Sequence, residues 1–237
     1  MKIRLSLAAL AVMIAAGCGR PAPKAAPLKV EGTQLTADGK PVSLRGVSFG
    51  WHNIWPRFYN KEAVHRLAED WGVSVVRAAI GADSHAMADN PGIHDGYMGE
   101  PDFALEHLYN VVDAAIESGI YVIVDWHSHV LHAAEAREFF TNVATRYADC
   151  PNVIYELYNE PVDDSWDSLK SYASELIALI DGISKVHPLI LMGCPHWDQD
   201  IQLAAADPIE GYDNLMYTVH FYAGTHTKWL RDRCDEA

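Results

Sequence analysis

Residues 120–126 read Ile-Tyr-Val-Ile-Val-Asp-Trp, and His127 follows. A short run of β-branched and apolar residues without polar alternation marks a strand buried on both faces, as in a parallel sheet covered by helices. Runs of the same kind recur on either side, at 43–49, 73–80, 152–158, 188–193 and 214–222. Between them, apolar residues return at helical spacing over 61–71, 103–118, 133–148, 165–186 and 199–206. Strand and helix in alternation with short links predict βαβ units.

An open doubly wound sheet and a closed barrel both satisfy that alternation. No Gly-rich phosphate loop follows any of the runs, so the nucleotide fingerprint of the open sheet is missing. Polar and aromatic residues instead gather where the strands should end: Trp51-His52, Arg77, Trp126-His127, Asn159-Glu160, His196-Trp197, and His220 with Tyr222. Chemistry at that one rim is the habit of the (β/α)8 TIM barrel. The expected fold is therefore α/β, an incomplete TIM barrel with six of its eight βα units. Residues 227–237 begin a sixth outer helix and carry no stop signal. A C-terminally truncated barrel is expected, with its first and sixth strands as open edges and marginal stability in isolation. Residues 30–44, with Asp38-Gly39 between alternating residues, read as a β-hairpin closing the barrel floor.

The chain has 237 residues, with 18 Lys and Arg against 32 Asp and Glu, for a net charge of −14. That balance argues against a nucleic-acid partner, whose phosphates need Lys and Arg, and against a basic face on anionic lipid. Lys2 and Arg4 precede the apolar run 5–16 and the small residues before Cys18, which is the order of a secretory signal. Residues 1–17 are expected to be a signal peptide and 18–27 a Pro/Ala-rich tether. Residues 28–237 would then form one partial catalytic domain. The ending Ala15-Ala16-Gly17-Cys18 resembles a lipoprotein signal. An exported protein is expected, a monomer that meets a membrane only through a lipid on Cys18, or else a secreted one. Cys150, Cys194 and Cys234 remain, allowing at most one disulfide and forming no metal signature.

Asn159-Glu160-Pro161 places a carboxyl beside an amide at the rim, which fits a general acid next to a group that holds a sugar hydroxyl. Such an acid must keep its proton near neutral pH, and a second nearby carboxylate would raise its pKa. Glu156 shares the parity of Glu160 but lies about 13 Å below it at roughly 3.3 Å per residue. A retaining pair needs about 5–5.5 Å, so Glu156 is expected in an ion pair, with Arg77 as the candidate partner. Arg77 cannot shed its charge and must be paired. His127, at a strand end, is read as a partner for a hydroxyl or a carboxylate. His129 and His132 complete an H-x-H-x-x-H series whose competing reading is a metal site; they are taken as loop and helix-start residues, and no metal or other cofactor is expected. Alternation places His220 and Tyr222 together at the mouth, while Trp197, Trp51 and Trp55 offer faces for sugar rings.

These segments together resemble the cellulases of glycoside hydrolase family 5. The likeness is carried by 75–77, Asp125-Trp126-His127, 154–156 leading to Asn159-Glu160-Pro161, Trp197-Asp198-Gln199-Asp200-Ile201, and the string from His220 to His226, His-Phe-Tyr-Ala-Gly-Thr-His. It implies a (β/α)8 barrel and retaining, metal-independent hydrolysis of internal β-1,4-glucosidic bonds, with a β-glucan as the partner. By motif, Glu160 would be the acid/base. Arg77, His127, Asn159, His220 and Tyr222 would form its polar shell, with Trp197 as a sugar platform. The family's nucleophile is a Glu at the end of strand seven, which these residues do not reach; Glu236 falls in the outer helix and cannot replace it. Three other readings remain: a β-mannanase or xyloglucanase, a non-catalytic glycan-binding lipoprotein, and a metal-dependent hydrolase.

Overall fold

A computed structural model describes residues 25–83 and 92–237. The signal segment 1–17, Cys18 and the tether as far as residue 24 lie outside the described residues. The chain opens with a three-stranded antiparallel meander, β1 (Leu28–Glu31), β2 (Gln34–Ala37) and β3 (Lys40–Pro41). Asp38 and Gly39 join β2 to β3 with both φ angles positive, at 51° and 68°. That is the turn whose twist suits a two-residue hairpin. The expected hairpin is thus present, with one strand more.

Six parallel strands follow in chain order: β4 (Gly46–Trp51), β5 (Val75–Gly81), β6 (Tyr121–His127), β7 (Val153–Glu156), β8 (Ile190–Met192) and β9 (Leu215–Tyr217). Their helices are α1 (Lys61–Asp70), α2 (Pro101–Ser118), α3 (Ala133–Arg146), α4 (Trp166–Ile183), the short turn α5 (Pro195–Asp198), α6 (Ile201–Ala206) and α7 (Lys228–Glu236). The boundaries have local causes. Asn60 and Ser165 accept the Ala63 and Ser168 backbone N–H groups at the starts of α1 and α4, meeting donors that have no partner inside the helix. Pro101 opens α2, and Gly119, in the left-handed region, closes it.

Alternation along the strands divides two cores. Val76, Ala78 and Ile80 of β5 and Val122 and Val124 of β6 pack outward with Leu108, Phe139, Phe140 and Leu169 of the helices. Val75, Ile154 and Leu189 point inward at the N-terminal end, where Leu28 of the meander joins them. The buried Asn214 fastens this floor. Its Oδ1 accepts the Val30 N–H at 2.9 Å, and its Nδ2 donates to the Leu28 and His187 carbonyls, each at 3.0 Å. The meander therefore closes the bottom and leaves the top open.

The outer strands of the sheet, β4 and β9, each have a single strand neighbour. Both are partly accessible along their lengths, whereas β7 is buried throughout. Several strands are shorter than the apolar runs suggest. β7 stops at Glu156 and β9 at Tyr217, so Pro161 does not end a strand, and neither do His220 and Tyr222. Arg77, expected at a strand end, is the third residue of β5. Cys150, Cys194 and Cys234 are all free thiols.

Candidate active site

The inward face above the floor carries charge. From β5, Arg77 donates from Nε and Nη2 to the two oxygens of Glu156, each at 2.7 Å, and from Nη2 to Asn159 Oδ1 at 2.9 Å. Asp125, on the neighbouring β6, lies 2.8 Å from the same Nη2. The side chain of Asp125 is fully buried and that of Glu156 nearly so. Burial pushes the Asp125 carboxyl up to about 6 although the Arg77 charge pulls it down. Glu156 is raised too, by burial first and then by the Asp125 charge, against the pull of Arg77. Arg77 is held more firmly protonated than usual, its desolvation outweighed by these two anions. The expected Arg77–Glu156 pair is present, and Asp125 makes it a triad.

His127 closes β6 and is buried. Its Nδ1 lies 2.6 Å from Asp125 Oδ2. Burial, with help from the Arg77 charge, lowers its pKa to about 3. The ring is thus neutral, and a carboxylate neighbour assigns the proton to Nδ1, leaving Nε2 as an acceptor.

Beyond β7 the backbone leaves strand geometry. Tyr158 turns outward, donating to Asp164 at 2.8 Å and meeting Tyr172 of α4 edge-on. Asn159 turns inward to Arg77, and Glu160 comes next. Two hydrogen bonds hold this step against the end of β6, from Asn159 N–H to the Trp126 carbonyl at 3.1 Å and from Glu160 N–H to the Ser128 carbonyl at 3.3 Å. Shared parity is therefore not what brings Glu160 to the site. Nor are the carboxylates separated as an ideal strand would place them, because His220 touches both: Nδ1 is 2.8 Å from Glu160 Oε1, and Nε2 is 3.9 Å from Glu156 Oε1.

Partial burial pushes the Glu160 carboxyl up, but the hydrogen bond and charge of His220, with His129 beside it, outweigh that and hold Glu160 below its ordinary value. His220 moves the other way. Desolvation disfavours its charge, yet the Glu160 hydrogen bond and the Asp198 and Glu156 charges raise its pKa. The two shifts run against the expected proton-retaining acid: they favour the carboxylate of Glu160 and the protonated form of His220. Among the described residues no unpaired carboxylate plays the part of the second acid, since Glu156 is engaged by Arg77.

Glu160 and His220 open into a cavity of about 810 Å³ that is also lined by His129, Trp197, Tyr222 and His226. The backbone N–H of Trp197 donates to the Pro161 carbonyl at 2.9 Å, which couples the aromatic wall to the loop that carries Glu160. Trp197 is 45% exposed and Tyr222 76%. Trp51 is not among the lining residues; it is edge-on to His127 at 4.4 Å between centroids and 6.0 Å from the ring of His129, which does line the cavity. Trp55 is not among the lining residues: it follows β4 in a loop where the Arg57 guanidinium covers its ring at 4.9 Å.

Residues 35–236 match the family model described as Cellulase (glycosyl hydrolase family 5). The chain belongs to glycosyl hydrolase family 5. It is 40% identical over 217 residues to Endoglucanase Z of Dickeya dadantii, covering 89% of this chain and 48% of that protein. A structure from Cytophaga hutchinsonii matches with a TM-score of 0.81 at 38% identity, over 90% of this chain and 67% of the other. The catalytic domain of Thermobifida fusca endoglucanase Cel5A in complex with cellotetraose matches with a TM-score of 0.77 at 31% identity, over 89% and 69%. The chain spans about half the length of the curated relatives it matches. Six parallel strands with their helices, laid on about two thirds of family 5 barrels, make the fold a partial TIM barrel.

Within this family 5 site, three residues escaped the reading of the sequence. His129, taken as a loop residue, lines the cavity with its Nδ1 3.7 Å from Glu160 Oε2. Asp125 and Asp198 are fully buried acids that belong to the site. Asp125 had a usable signal, an acid inside an otherwise apolar run two residues before His127. Asp198 had none, because α5 turns through left-handed backbone at His196, Trp197 and Asp198. The histidine series does not converge: His127 faces Asp125, His129 faces Glu160, and His132 faces Asp83 at 2.8 Å. Among the described residues no group of three or more His, Cys, Asp or Glu is placed to hold a metal ion, and no helix is long and apolar enough to cross a membrane.

Proposed function

We propose that these residues form the larger part of a retaining endo-β-1,4-glucanase domain with Glu160 as its acid/base, and that the nucleophilic carboxylate is a residue outside these 237. In the assembled enzyme that carboxylate attacks the anomeric carbon while Glu160 gives its proton to the leaving oxygen. Glu160 then takes a proton from the water that releases the glycosyl-enzyme. Arg77 orients the Asn159 amide, His127 offers Nε2 to a sugar hydroxyl, and Trp197 and Tyr222 give apolar faces to pyranose rings. The observation that carries this reading is the meeting of Glu160 and His220 in a cavity walled by Trp197 and Tyr222. The cellotetraose bound by the Thermobifida relative supports a β-glucan over mannan. We further propose export on the 1–17 leader with anchoring through Cys18.

The test is reducing-sugar release from carboxymethylcellulose, mannan and xyloglucan by the protein from the whole reading frame that holds these residues. Carboxymethylcellulose is expected to be the fastest substrate, and Glu160→Gln should cost about 10²–10⁴-fold. The homogeneous 237-residue chain should bind cellopentaose with little or no turnover. Robust hydrolysis by that chain would overturn the assignment of the nucleophile. Cellopentaose binding without turnover in the whole protein would mark a glycan-binding module instead.

A further inference from the structure

Asp198 has no part in the mechanism above, yet it is among the most constrained side chains of the protein. It is fully buried. It follows His196 and Trp197 in a run of three non-glycine residues with φ between 55° and 61°, a conformation that persists only where the surroundings enforce it. Oδ1 accepts the Cys194 N–H at 2.9 Å, and Oδ2 accepts the Thr218 hydroxyl at 2.7 Å. A Cβ at position 193 would collide with the carboxylate and with the ring of Pro161, so Gly193 leaves the room it needs. From this seat Oδ2 faces His220 Nε2 at 3.5 Å.

His220 therefore has a carboxyl group at each nitrogen. Glu160, from the loop after β7, meets Nδ1, while Asp198, from α5, and Glu156, from β7, face Nε2. Arg77 on β5 and Asp125 on β6 act on it from farther below. A neutral imidazole has one N–H and would turn a lone pair toward one of these carboxylates; only the imidazolium suits both sides. We propose that Asp198 is a positioning residue that holds His220 in the doubly protonated form and, through it, governs the proton on Glu160. The consequence for catalysis rests on Glu160 being the acid/base, whereas the coupling itself does not. Burial pushes the Asp198 carboxyl well above the usual carboxylate range, against the pull of the His220 charge. Facing each other at 3.5 Å, the carboxyl and the imidazole titrate as a coupled pair.

The experiment is histidine and carboxyl NMR titration of the 237-residue protein, with His220 assigned by the signal lost in His220→Gln. Asp198→Asn keeps the shape and can still meet Cys194 and Thr218. It should lower the His220 midpoint by about one pH unit, the effect of removing an adjacent charge. A folded Asp198→Asn protein with an unmoved or raised His220 midpoint overturns the proposal. Coupling is reciprocal, so His220→Gln should raise the Asp198 carboxyl midpoint. That reading decides the matter if Asp198→Asn does not fold, and an unmoved carboxyl overturns the proposal equally. A merely structural Asp198 would shift neither midpoint. If cellopentaose fails to bind while both shifts occur, the proposed function falls and the coupling stands.

Discussion

Replacing Arg77 with Met keeps most of the side-chain volume and removes the cation that both Asp125 and Glu156 face. Asp125 already titrates near 6 instead of 3.8, so at pH 8 its charge costs about 3 kcal/mol even with Arg77 in place. Breaking a buried pair by deleting one partner typically costs about 3–5 kcal/mol, and two anions depend on this one. The sign with pH follows from the direction of the shifts. A carboxyl whose folded pKa is raised contributes stability below its unfolded pKa and loses it as pH rises through the folded value. Arg77→Met raises both folded values further, so its stability gap from the parent should be small at pH 5 and open above about pH 6, reaching about 3–5 kcal/mol at pH 8. Urea unfolding of the 237-residue protein at pH 5 and pH 8, followed by tryptophan fluorescence and far-ultraviolet circular dichroism, measures that gap. A gap below about 1 kcal/mol at pH 8, or one of equal size at both pH values, would refute the reasoning.

Three further outcomes are expected. Asn214→Ala removes two hydrogen bonds to the meander and one to the loop before β8, and leaves the Val30 N–H without its acceptor; a loss of about 2–4 kcal/mol, with faster amide exchange in β1, is the expected reading. Trp197→Ala should weaken cellopentaose binding by about tenfold or more while leaving urea unfolding nearly unchanged, because the ring is half exposed; calorimetric titration checks this. The Glu160–His220 pair should stabilise the fold over a pH window. The raised His220 contributes fully below its unfolded pKa of about 6.5 and loses its share as pH rises through the folded value. The depressed Glu160 contributes above its unfolded value of about 4.3 and loses its share as pH falls. The unfolding difference between the parent and His220→Gln should therefore be greatest between those two values and vanish at both extremes.

The six strands and the long outer helices were legible because each leaves a periodic trace, unbroken apolar runs for strands buried on both faces and amphipathic spacing for the helices. His127 was legible as a strand end because β6 pairs on both sides and runs its full apolar length. β9 has one partner and stops three residues into its run, so placing His220 and Tyr222 by alternation failed. They reach the cavity through the loop that follows. Trp55 was misplaced for a related reason: proximity to β4 in sequence says nothing of a loop that stacks its own arginine on the ring. Asp125 could be noticed as an acid in an apolar run, but its partner, like that of Asp198, was illegible because a buried acid is explained only by the cation it faces. Those cations, His220 and Arg77, lie 22 and 48 residues away in the chain.

The charge state of Glu160 follows from a census of its neighbours. His220 and His129 face its carboxylate, and the anions beneath are engaged by Arg77, so Glu160 is better fitted to accept a proton than to give one. A general acid must hold its proton, and the agent that would make it do so is a further carboxylate about 5–5.5 Å away, the spacing of a retaining pair, through like-charge repulsion. The Glu160 carboxyl of the 237-residue protein should therefore titrate below an ordinary glutamate, and the same carboxyl in the protein from the whole reading frame should titrate above it. Carbon-13 titration of Glu160 in both proteins reads the two midpoints directly. If Glu160 in the shorter protein already titrates above the ordinary range, burial outweighs the histidines, and the acid form needs no second carboxylate to sustain it.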